Sequence, residues 1–308
     1  MRKFILLQTS LFAVFFISAS PAVAQNVLWV SNTGSDSNTC GASSPCGTFQ
    51  GAINKGNVVQ INCLTSGTYG GVTITSSLTI DCGTGNIGDV NVFSGNAITI
   101  STSSAATIVL RHLNVNGLGN NSSMVGVDAG DSFFGGTLIV EDCMIHGFHD
   151  GFGISFAPTG GRGYLQVSNT QIFDDFGGII VFPGPGKIAT VSLNKIEASV
   201  NFGYGVSLGG GVVAGTMRDS VVSGNAEAGL YAGADQVFFT VEESSIIGNL
   251  TNGIQVVSAG AIVNVAASTI GGNGTGVLAT AGSIISFGDN HMSANGSNGT
   301  FTSTVPLR

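Results

Sequence analysis

The sequence predicts an all-β protein, a parallel β-helix in which short strands of successive turns stack on one another. The first observation is a Gly-apolar pair that recurs every 23 to 27 residues: Gly153-Ile154, Gly178-Ile179, Gly205-Val206, Gly229-Leu230, Gly253-Ile254 and Gly276-Val277. The second is a set of apolar residues at the same period: Val140, Val167, Leu193, Met217, Val241, Val265 and Phe287. A unit of this length cannot bury its apolar face alone, so such units stack as a solenoid. The units contain no apolar pattern of helical length, which favours strands.

Residues 1–24 have the pattern of a cleavable export signal. Arg2 and Lys3 precede an apolar run at 11–17, and a small Ala-Val-Ala sequence comes directly before Gln25. The run is too short for a comfortable membrane span, and no later segment is long and apolar enough to be one. We therefore expect a secreted or periplasmic protein without a membrane span.

The composition excludes several classes of partner. The chain has 48 glycines, 8% charged residues and a formal net charge of −8, a combination unlike that of disordered proteins. Its nine lysines and arginines are too few and too scattered to form a basic stripe, so no nucleic acid or anionic membrane surface is expected as a partner. A polyanionic substrate would need a local basic patch or a bridging cation.

The segment before the first regular strand predicts a lid over the first turn of the solenoid. Phe49, Ala52 and Ile53 have the i, i+3, i+4 spacing of a helix of one to two turns, which Thr48 or Ser44 could cap. Such a lid is expected because an open end would expose both the core and unpaired strand edges.

The alternation typical of strands ends after residue 290, and Pro306 cannot donate to a strand ladder. This predicts a tail folded across the last turn, with His291 as a turn or cap residue. The predicted organisation is an export signal (1–24), an N-terminal cap (25–56), a parallel β-helix (57–290) and a C-terminal cap (291–308).

Five cysteines are present. Cys40 and Cys46 flank a loop that a disulfide could close, and Cys63 and Cys82 stand about one turn apart. In an exported protein these two pairings are the first expectation, although four cysteines allow three pairings. Cys143 is expected to be a buried thiol.

Several runs near the start of the chain resemble a known family. They are Trp29-Val-Ser-x-x-Gly-Ser-Asp, Pro45-Cys46-x-Thr-Phe-x-x-Ala-Ile, Gly67-Thr-Tyr-Gly-Gly-Val-Thr-Ile and Leu78-Thr-Ile-Asp. Together they resemble the opening of secreted right-handed β-helix proteins of the pectin-lyase-like superfamily, and the likeness covers essentially the whole chain after residue 24. The resemblance implies a right-handed β-helix. It implies no single activity, because this superfamily contains lyases, hydrolases, esterases and members without an assigned reaction.

A polar column accompanies the glycine markers. The position four residues before the marker holds His149, Asp174, Asn201, Asn225 and Asn249; Asn273 comes three residues before its marker, and Asn295 four before Gly299. Stacked asparagines hydrogen-bond to one another and tolerate the left-handed conformation of sharp turns. We therefore predict a structural asparagine ladder: Asn201, Asn225, Asn249, Asn273 and Asn295.

The candidate site lies where this column changes to acids. The candidate catalytic residues are Asp150, Asp174, Asp175 and Glu197, and the candidate substrate-binding residues are His146, His149 and Arg162. Carboxylates on adjacent turns could cleave a glycosidic bond without a cofactor, or hold a Ca²⁺ that binds an acidic sugar. The structural alternative is that turn positions carry aspartate for local capping and form a solvated acidic face.

The motifs of the resembled superfamily are only partly present. Asp174-Asp175 matches the paired acid of polygalacturonases, but Gly203-Tyr204-Gly205 lacks their histidine and Asn194-Lys195-Ile196 is not their basic motif. A pectate-lyase-like site would combine a Ca²⁺ cluster with a basic residue, and no basic residue of this chain lies in such a signature.

Three functions remain. The first is binding of extracellular or cell-envelope polysaccharide, with no assigned reaction. The second is a polysaccharide lyase or glycoside hydrolase that uses the acidic cluster. The third is a non-enzymatic surface or structural protein. The sequence leaves the oligomeric state open.

Overall fold

The computed structural model describes residues 26–83, 85–122 and 124–305. The predicted export signal lies outside these residues. The described chain forms one short helix, α1 (Phe49–Ile53), and many short strands. None of the helical structure in the described part of the chain could reach across a bilayer.

The strands of the first turns are β1 (Asn26–Val30), β2 (Val58–Cys63), β3 (Gly67–Thr68), β4 (Val72–Ile74), β5 (Leu78–Asp81), β6 (Gly88–Asn91), β7 (Ile98–Ile100), β8 (Ala106–Arg111) and β9 (Leu113–Asn116). The strands of the middle turns are β10 (Val127–Ala129), β11 (Gly136–Glu141), β12 (Met144–His146), β13 (Phe152–Phe156), β14 (Arg162–Ser168), β15 (Gln171–Phe173), β16 (Gly177–Val181), β17 (Ile188–Asn194), β18 (Glu197–Ser199), β19 (Val206–Leu208), β20 (Val212–Arg218) and β21 (Val221–Ser223). The strands of the last turns are β22 (Leu230–Ala232), β23 (Val237–Glu242), β24 (Ser245–Ile247), β25 (Asn252–Val256), β26 (Ile262–Ala266), β27 (Thr269–Gly271), β28 (Thr275–Ala279), β29 (Ser283–Ser286), β30 (His291–Ser293), β31 (Ser297–Gly299) and β32 (Ser303–Thr304).

These strands form three parallel sheets, which confirms the predicted parallel β-helix. Sheet A has the order β1-β2-β5-β8-β11-β14-β17-β20-β23-β26-β29-β32. Sheet B has the order β3-β6-β9-β12-β15-β18-β21-β24-β27-β30, and sheet C has the order β4-β7-β10-β13-β16-β19-β22-β25-β28-β31. In the regular part of the cylinder, each turn gives one strand to sheet A, then one to sheet B, then one to sheet C.

The core consists of inward-facing columns that the strand pleat produces. In β14 the residues Gly163, Leu165 and Val167 are buried while Tyr164 and Gln166 between them are exposed. The register then stacks equivalent residues of successive turns. On sheet B the inward column is Val115, Ile145, Ile172, Ala198, Val222, Ile246 and Ile270. All are almost fully buried, and burial of each large aliphatic side chain stabilises the fold by roughly 1.5–3 kcal/mol.

A second ladder, which the sequence analysis did not identify, forms the corner between sheets A and B. Its members are Thr170, Ser220, Ser244 and Ser268. Each hydroxyl donates to the carbonyl two residues earlier, and each accepts a backbone N–H from the preceding turn. The residue before each hydroxyl has a positive φ, between 45° and 50° at these four turns. This left-handed residue brings the hydroxyl back over the end of the strand, so the sharp corner leaves these polar groups satisfied.

The asparagines form a hydrogen-bonded ladder at the corner between sheets B and C. Asn201 Nδ2 donates to Asn225 Oδ1 at 2.9 Å, and Asn225 Nδ2 donates to Asn249 Oδ1 at 2.9 Å. The same bond joins Asn249 to Asn273 at 2.9 Å and Asn273 to Asn295 at 3.0 Å. All but Asn295 are buried, because the side chains point into the corner.

Towards the N-terminus this column continues differently from the prediction. Its next members are Asp175 and Phe148, not Asp174 and His149, because Asp175 N donates to Asn201 Oδ1 and Phe148 N donates to Asp175 Oδ1. The reason is that the corner loop varies in length from turn to turn. Counting back from the marker glycine therefore misses the ladder position by one residue in these two turns.

The N-terminal segment covers the first turn, as expected for a lid. The helix α1 is capped by Thr48, whose side chain accepts a hydrogen bond from Gly51 N. Phe49 is fully buried and packs against Tyr69 with the ring centroids 4.9 Å apart. Asp36 holds the lid together by accepting hydrogen bonds from Gly47 N and from both the N and the hydroxyl of Thr48.

Both expected disulfides, Cys40–Cys46 and Cys63–Cys82, are present, and Cys143 is a buried free thiol. The predicted C-terminal cap is, in its described residues, a last short turn and not a segment without strands. It contributes β30, β31 and β32 to the three sheets, and Phe301 packs against the core.

Candidate functional site

An open groove of about 1100 Å³ runs along the outer face of sheet B and the corner between sheets A and B. Its floor is the first outward-facing column of sheet B: Asp89, Asn114, Met144, Gln171, Glu197 and Val221. Its wall is the column of left-handed corner residues: His112, Asp142, Asn169, Lys195 and Asp219. The six turns span about 24 Å at the usual strand spacing of about 4.8 Å.

The groove follows from local structure. The strands of sheet B are short, and in β12, β15 and β21 the first residue faces outward because the pleat buries the second. The corner residue just before them has a positive φ, which turns its side chain away from the core. Two parallel polar columns therefore stand side by side along the cylinder.

The polar groups on the floor are held in place by neutral hydrogen-bond donors. Glu197 Oε2 accepts from Gln171 Nε2 at 3.1 Å, and its Oε1 accepts from Ser199 Oγ at 3.2 Å. Asp89 Oδ1 accepts from Asn114 Nδ2 at 2.8 Å. These contacts fix side chains that a flexible surface would leave free, so the floor is organised before any ligand binds.

His112 is an oriented imidazole on the wall of the groove. Its Nδ1 lies 2.8 Å from Asp81 Oδ1, and its Nε2 lies 3.8 Å from Asp142 Oδ2. When Nδ1 carries the proton and donates to Asp81, Nε2 is left as the acceptor on the groove side. A carboxylate that orients an imidazole in this way is an arrangement found at general bases.

The sequence analysis did not select His112 or Asp81. The signal was nevertheless present, since Asp142, Asn169, Lys195 and Asp219 each stand two residues after an apolar marker of the repeat, and His112 stands two after Leu110 in the same column. The same register that found the core would therefore have found the wall of the groove.

Two of the predicted site residues meet at the other edge of sheet B, where it turns into sheet C. His149 Nε2 lies 3.2 Å from Asp174 Oδ1, although the angles make no hydrogen bond, and the His149 ring meets Phe202 edge-on with centroids 5.0 Å apart. On the strand beside them, the ring of His146 stacks on Phe173 at 4.9 Å. Burial lowers the pKa of His146, and the charge of Asp174 opposes this only in part, so His146 is neutral at pH 7.

Asp175 lies inside the corner and is fully buried. Its Oδ1 accepts from Phe148 N at 2.9 Å, while its Oδ2 has no hydrogen-bond partner among the described residues. Desolvation by burial raises the pKa of Asp175 well above its usual range, against the Phe148 hydrogen bond that lowers it. Burial therefore favours the protonated form of Asp175, and this side chain has no access to a ligand on the surface.

The seven predicted site residues do not form one cluster. Glu197 lines the groove, whereas Asp174, His146 and His149 lie at the opposite edge of sheet B or beside it. Asp150 is exposed on the corner loop, and Arg162 begins β14 on sheet A, beyond sheet C along the chain.

A bound calcium ion was one use that the sequence allowed for the acidic residues. No three histidine, cysteine, aspartate or glutamate side chains within residues 26–83, 85–122 and 124–305 come close enough to hold a metal ion. The carboxylates are spread along the cylinder, whereas Ca²⁺ requires six to eight oxygen ligands around one point.

A Gly-x-Ser-x-Gly sequence also occurs, at residues 205–209, but it forms no nucleophile elbow. Ser207 lies within strand β19 and is almost fully buried. The elbow requires an exposed serine on a turn from a strand into a helix.

Comparisons with known proteins give a distant likeness in fold. No protein-family model matches the chain, and no curated protein matches it significantly. Solved structures that resemble it include pectate lyase Pel9A, with 13% identity, 84% of this chain and 78% of that chain covered, and a TM-score of 0.48. They also include the A-module of the Azotobacter vinelandii mannuronan C-5 epimerase AlgE4, with 10% identity, coverage of 81% and 91%, and a TM-score of 0.44.

Proposed function

We propose that this protein is exported and binds a linear polysaccharide along the groove on sheet B. The observation that carries the proposal is the groove itself, which is open along its side and about 24 Å long and which presents one side chain per turn at a constant interval. A surface of this kind suits a polymer of regular units, because side chains recur along it at the constant spacing of the strands.

The chemistry of the floor supports a sugar ligand. Asn114, Gln171 and Glu197 offer amide and carboxyl groups to hydroxyls, and their mutual contacts hold them in position. Met144 and Val221 on the same column are 39% and 37% exposed and provide apolar surface for the C–H faces of a sugar ring. Apolar surface beside polar groups that are fixed in position is typical of ligand sites.

Export is supported by the pattern of residues 1–24 and by the two disulfides, which persist in oxidising compartments. A polymer too large to enter the cell would meet the protein there. The groove disfavours a purely structural role, which would need no such site.

The test is binding of a panel of neutral, acidic and basic linear glycans, measured by isothermal titration calorimetry. Gln171→Ala removes one fixed group from the floor, and Gln166→Ala removes an exposed glutamine from sheet A as the matched control. We expect at least one glycan to bind the wild type and the Gln166→Ala control with similar affinity, and to bind Gln171→Ala several-fold more weakly. Failure of every glycan to bind, or equal weakening in both variants, would refute the proposal.

A second candidate function is catalytic cleavage of the polysaccharide in the same groove. The contact between Asp81 and His112 favours it. His112 would take a proton through Nε2 from a water molecule that attacks the anomeric carbon, while the glycosidic oxygen leaves with a proton from solvent. The products would be detected as new reducing ends. Cleavage by the wild type but not by His112→Ala would establish it, and binding without cleavage by either protein would dismiss it.

A further inference from the structure

The groove carries more negative than positive charge. Its carboxylates come from four of its six turns: Asp89, Asp142, Glu197 and Asp219. Among the described residues that line it, the only lysine or arginine is Lys195. His112 adds a positive charge only when it is protonated.

The negative charge on the floor is not neutralised from within the protein. Asp89 is held by the amide of Asn114, and Glu197 is held by the amide of Gln171 and the hydroxyl of Ser199, all of them neutral. In the described part of the chain neither carboxylate forms an ion pair, so both keep their charge available to a ligand.

The arginines that could have neutralised the groove are engaged on sheet A. Arg111 Nε lies 2.7 Å from Glu141 Oε2 on the neighbouring strand. Arg218 pairs with Glu242 and lies 3.7 Å from Glu243. Acids on sheet A thus receive a charged partner, whereas those on the groove floor receive only amides and a hydroxyl.

The carboxylates are distributed along the groove. They stand on its first, third, fifth and sixth turns, so the first three recur at intervals of about 10 Å. Such spacing does not gather oxygen ligands around one metal ion. It matches a polymer that carries its own positive charges at intervals along its length.

We propose that the glycan held in this groove is a linear amino-sugar polysaccharide whose ammonium groups pair with the groove carboxylates. The inference rests on the proposed function, because it concerns the same site. A polyuronate would meet like charge along the whole groove, which disfavours association and slows encounter. The hydroxyls of the amino sugar would use the same amides as those of any other glycan.

The test compares three hexamers of equal length by calorimetry at low salt, at a pH that protonates amino groups. They are β-1,4-linked glucosamine, its fully N-acetylated form and galacturonic acid. We expect the glucosamine hexamer to bind about tenfold more tightly than the N-acetylated one, which two or three exposed ion pairs supply. The difference should shrink as salt is added, and the uronate should bind most weakly.

Variants of single carboxylates test whether the preference for the amino sugar comes from the groove. Glu197→Gln and Asp89→Asn keep the shape of the floor and should each lower the preference for the amino sugar several-fold. Asp235→Asn removes the same charge from an exposed loop outside the groove and should leave it unchanged. Circular dichroism of each variant confirms that it is folded.

The outcomes separate the two proposals. If the N-acetylated or the uronate hexamer binds as tightly as the glucosamine hexamer, and Gln171→Ala weakens it, the charge inference is wrong and polysaccharide binding stands. If Asp235→Asn lowers the preference as much as Glu197→Gln, the effect is one of net charge and the inference is also wrong. If no glycan binds, both proposals fail.

Discussion

Replacement of Asp175 by asparagine should stabilise the protein, and the gain should grow with pH. In every later step of the ladder an asparagine Nδ2 donates to the Oδ1 of the next member, as Asn201 does to Asn225 at 2.9 Å. Asp175 places its Oδ2 where that donor would be, and this atom is buried without a partner among the described residues. Only the protonated acid, or asparagine, offers a donor at this position.

The magnitude follows from proton linkage. The unfolded chain ionises Asp175 near pH 4, whereas the folded protein keeps the proton because burial raises its pKa. Below the unfolded value both states are protonated, and the variant gains at most about 1 kcal/mol from a better hydrogen bond. Above that pH, ionisation of Asp175 lowers the free energy of the unfolded wild type. The wild type therefore loses about 1.4 kcal/mol per pH unit relative to the variant, until the pH reaches the folded-state pKa.

Urea denaturation of both proteins across a pH series measures this difference. Asp235→Asn is the control, because it removes the same charge from an exposed loop between β22 and β23. It should retain the pH dependence of the wild type. The reasoning fails if the stabilities of wild type and Asp175→Asn run parallel with pH, or if the variant is less stable throughout.

Three further perturbations test the fold. Burial raises the pKa of the Cys143 thiol to about 12, so iodoacetamide at neutral pH should label it, by mass spectrometry, only after unfolding; labelling of the native protein would refute its burial. Asn225→Ala removes four hydrogen bonds from the buried ladder and should lower the free energy of unfolding, measured by urea denaturation, by about 2–4 kcal/mol. The control Asn264→Ala, on the outer face of sheet A, should lower it by less than about 0.5 kcal/mol. Equal losses of stability in the two variants would show that the ladder does not stabilise the fold. Ile172→Ala should cost about 2–5 kcal/mol by leaving a cavity in the fully buried column, and Ile247→Ala, which is 38% exposed, should cost much less; the reverse order would contradict the strand register.

Most of the fold could be predicted from the sequence repeat. Marker residues such as Val140 and Val167 are partners on adjacent strands, because a solenoid turns a fixed sequence period into direct stacking. The cysteines were predictable for the same reason, since Cys63 ends β2 and Cys82 directly follows β5, at equivalent positions of successive turns.

The candidate site was harder to predict, because it depends on corners and not on strands. The corner loop gains or loses a residue between turns, which moved Asp174 out of the ladder and put Asp175 into it. Glu197 was placed with Asp174 by closeness in sequence, yet it begins its strand while Asp174 follows the end of the strand below. Arg162 was included for the same reason and lies on another sheet. A period locates residues along the cylinder, but only the corner dihedrals decide which way a side chain points.

The central claim, that sheet B carries the ligand, is tested most directly by NMR of the protein with ¹³C-labelled methionine methyl groups. Met144 lies on the groove floor, Met217 is buried in sheet A, and Met124 is exposed before β10 on sheet C. Titration with the glucosamine hexamer should shift the Met144 resonance in a saturable way and leave those of Met217 and Met124 in place. A saturable shift of Met124 without one of Met144 would place the ligand on another face and contradict the account.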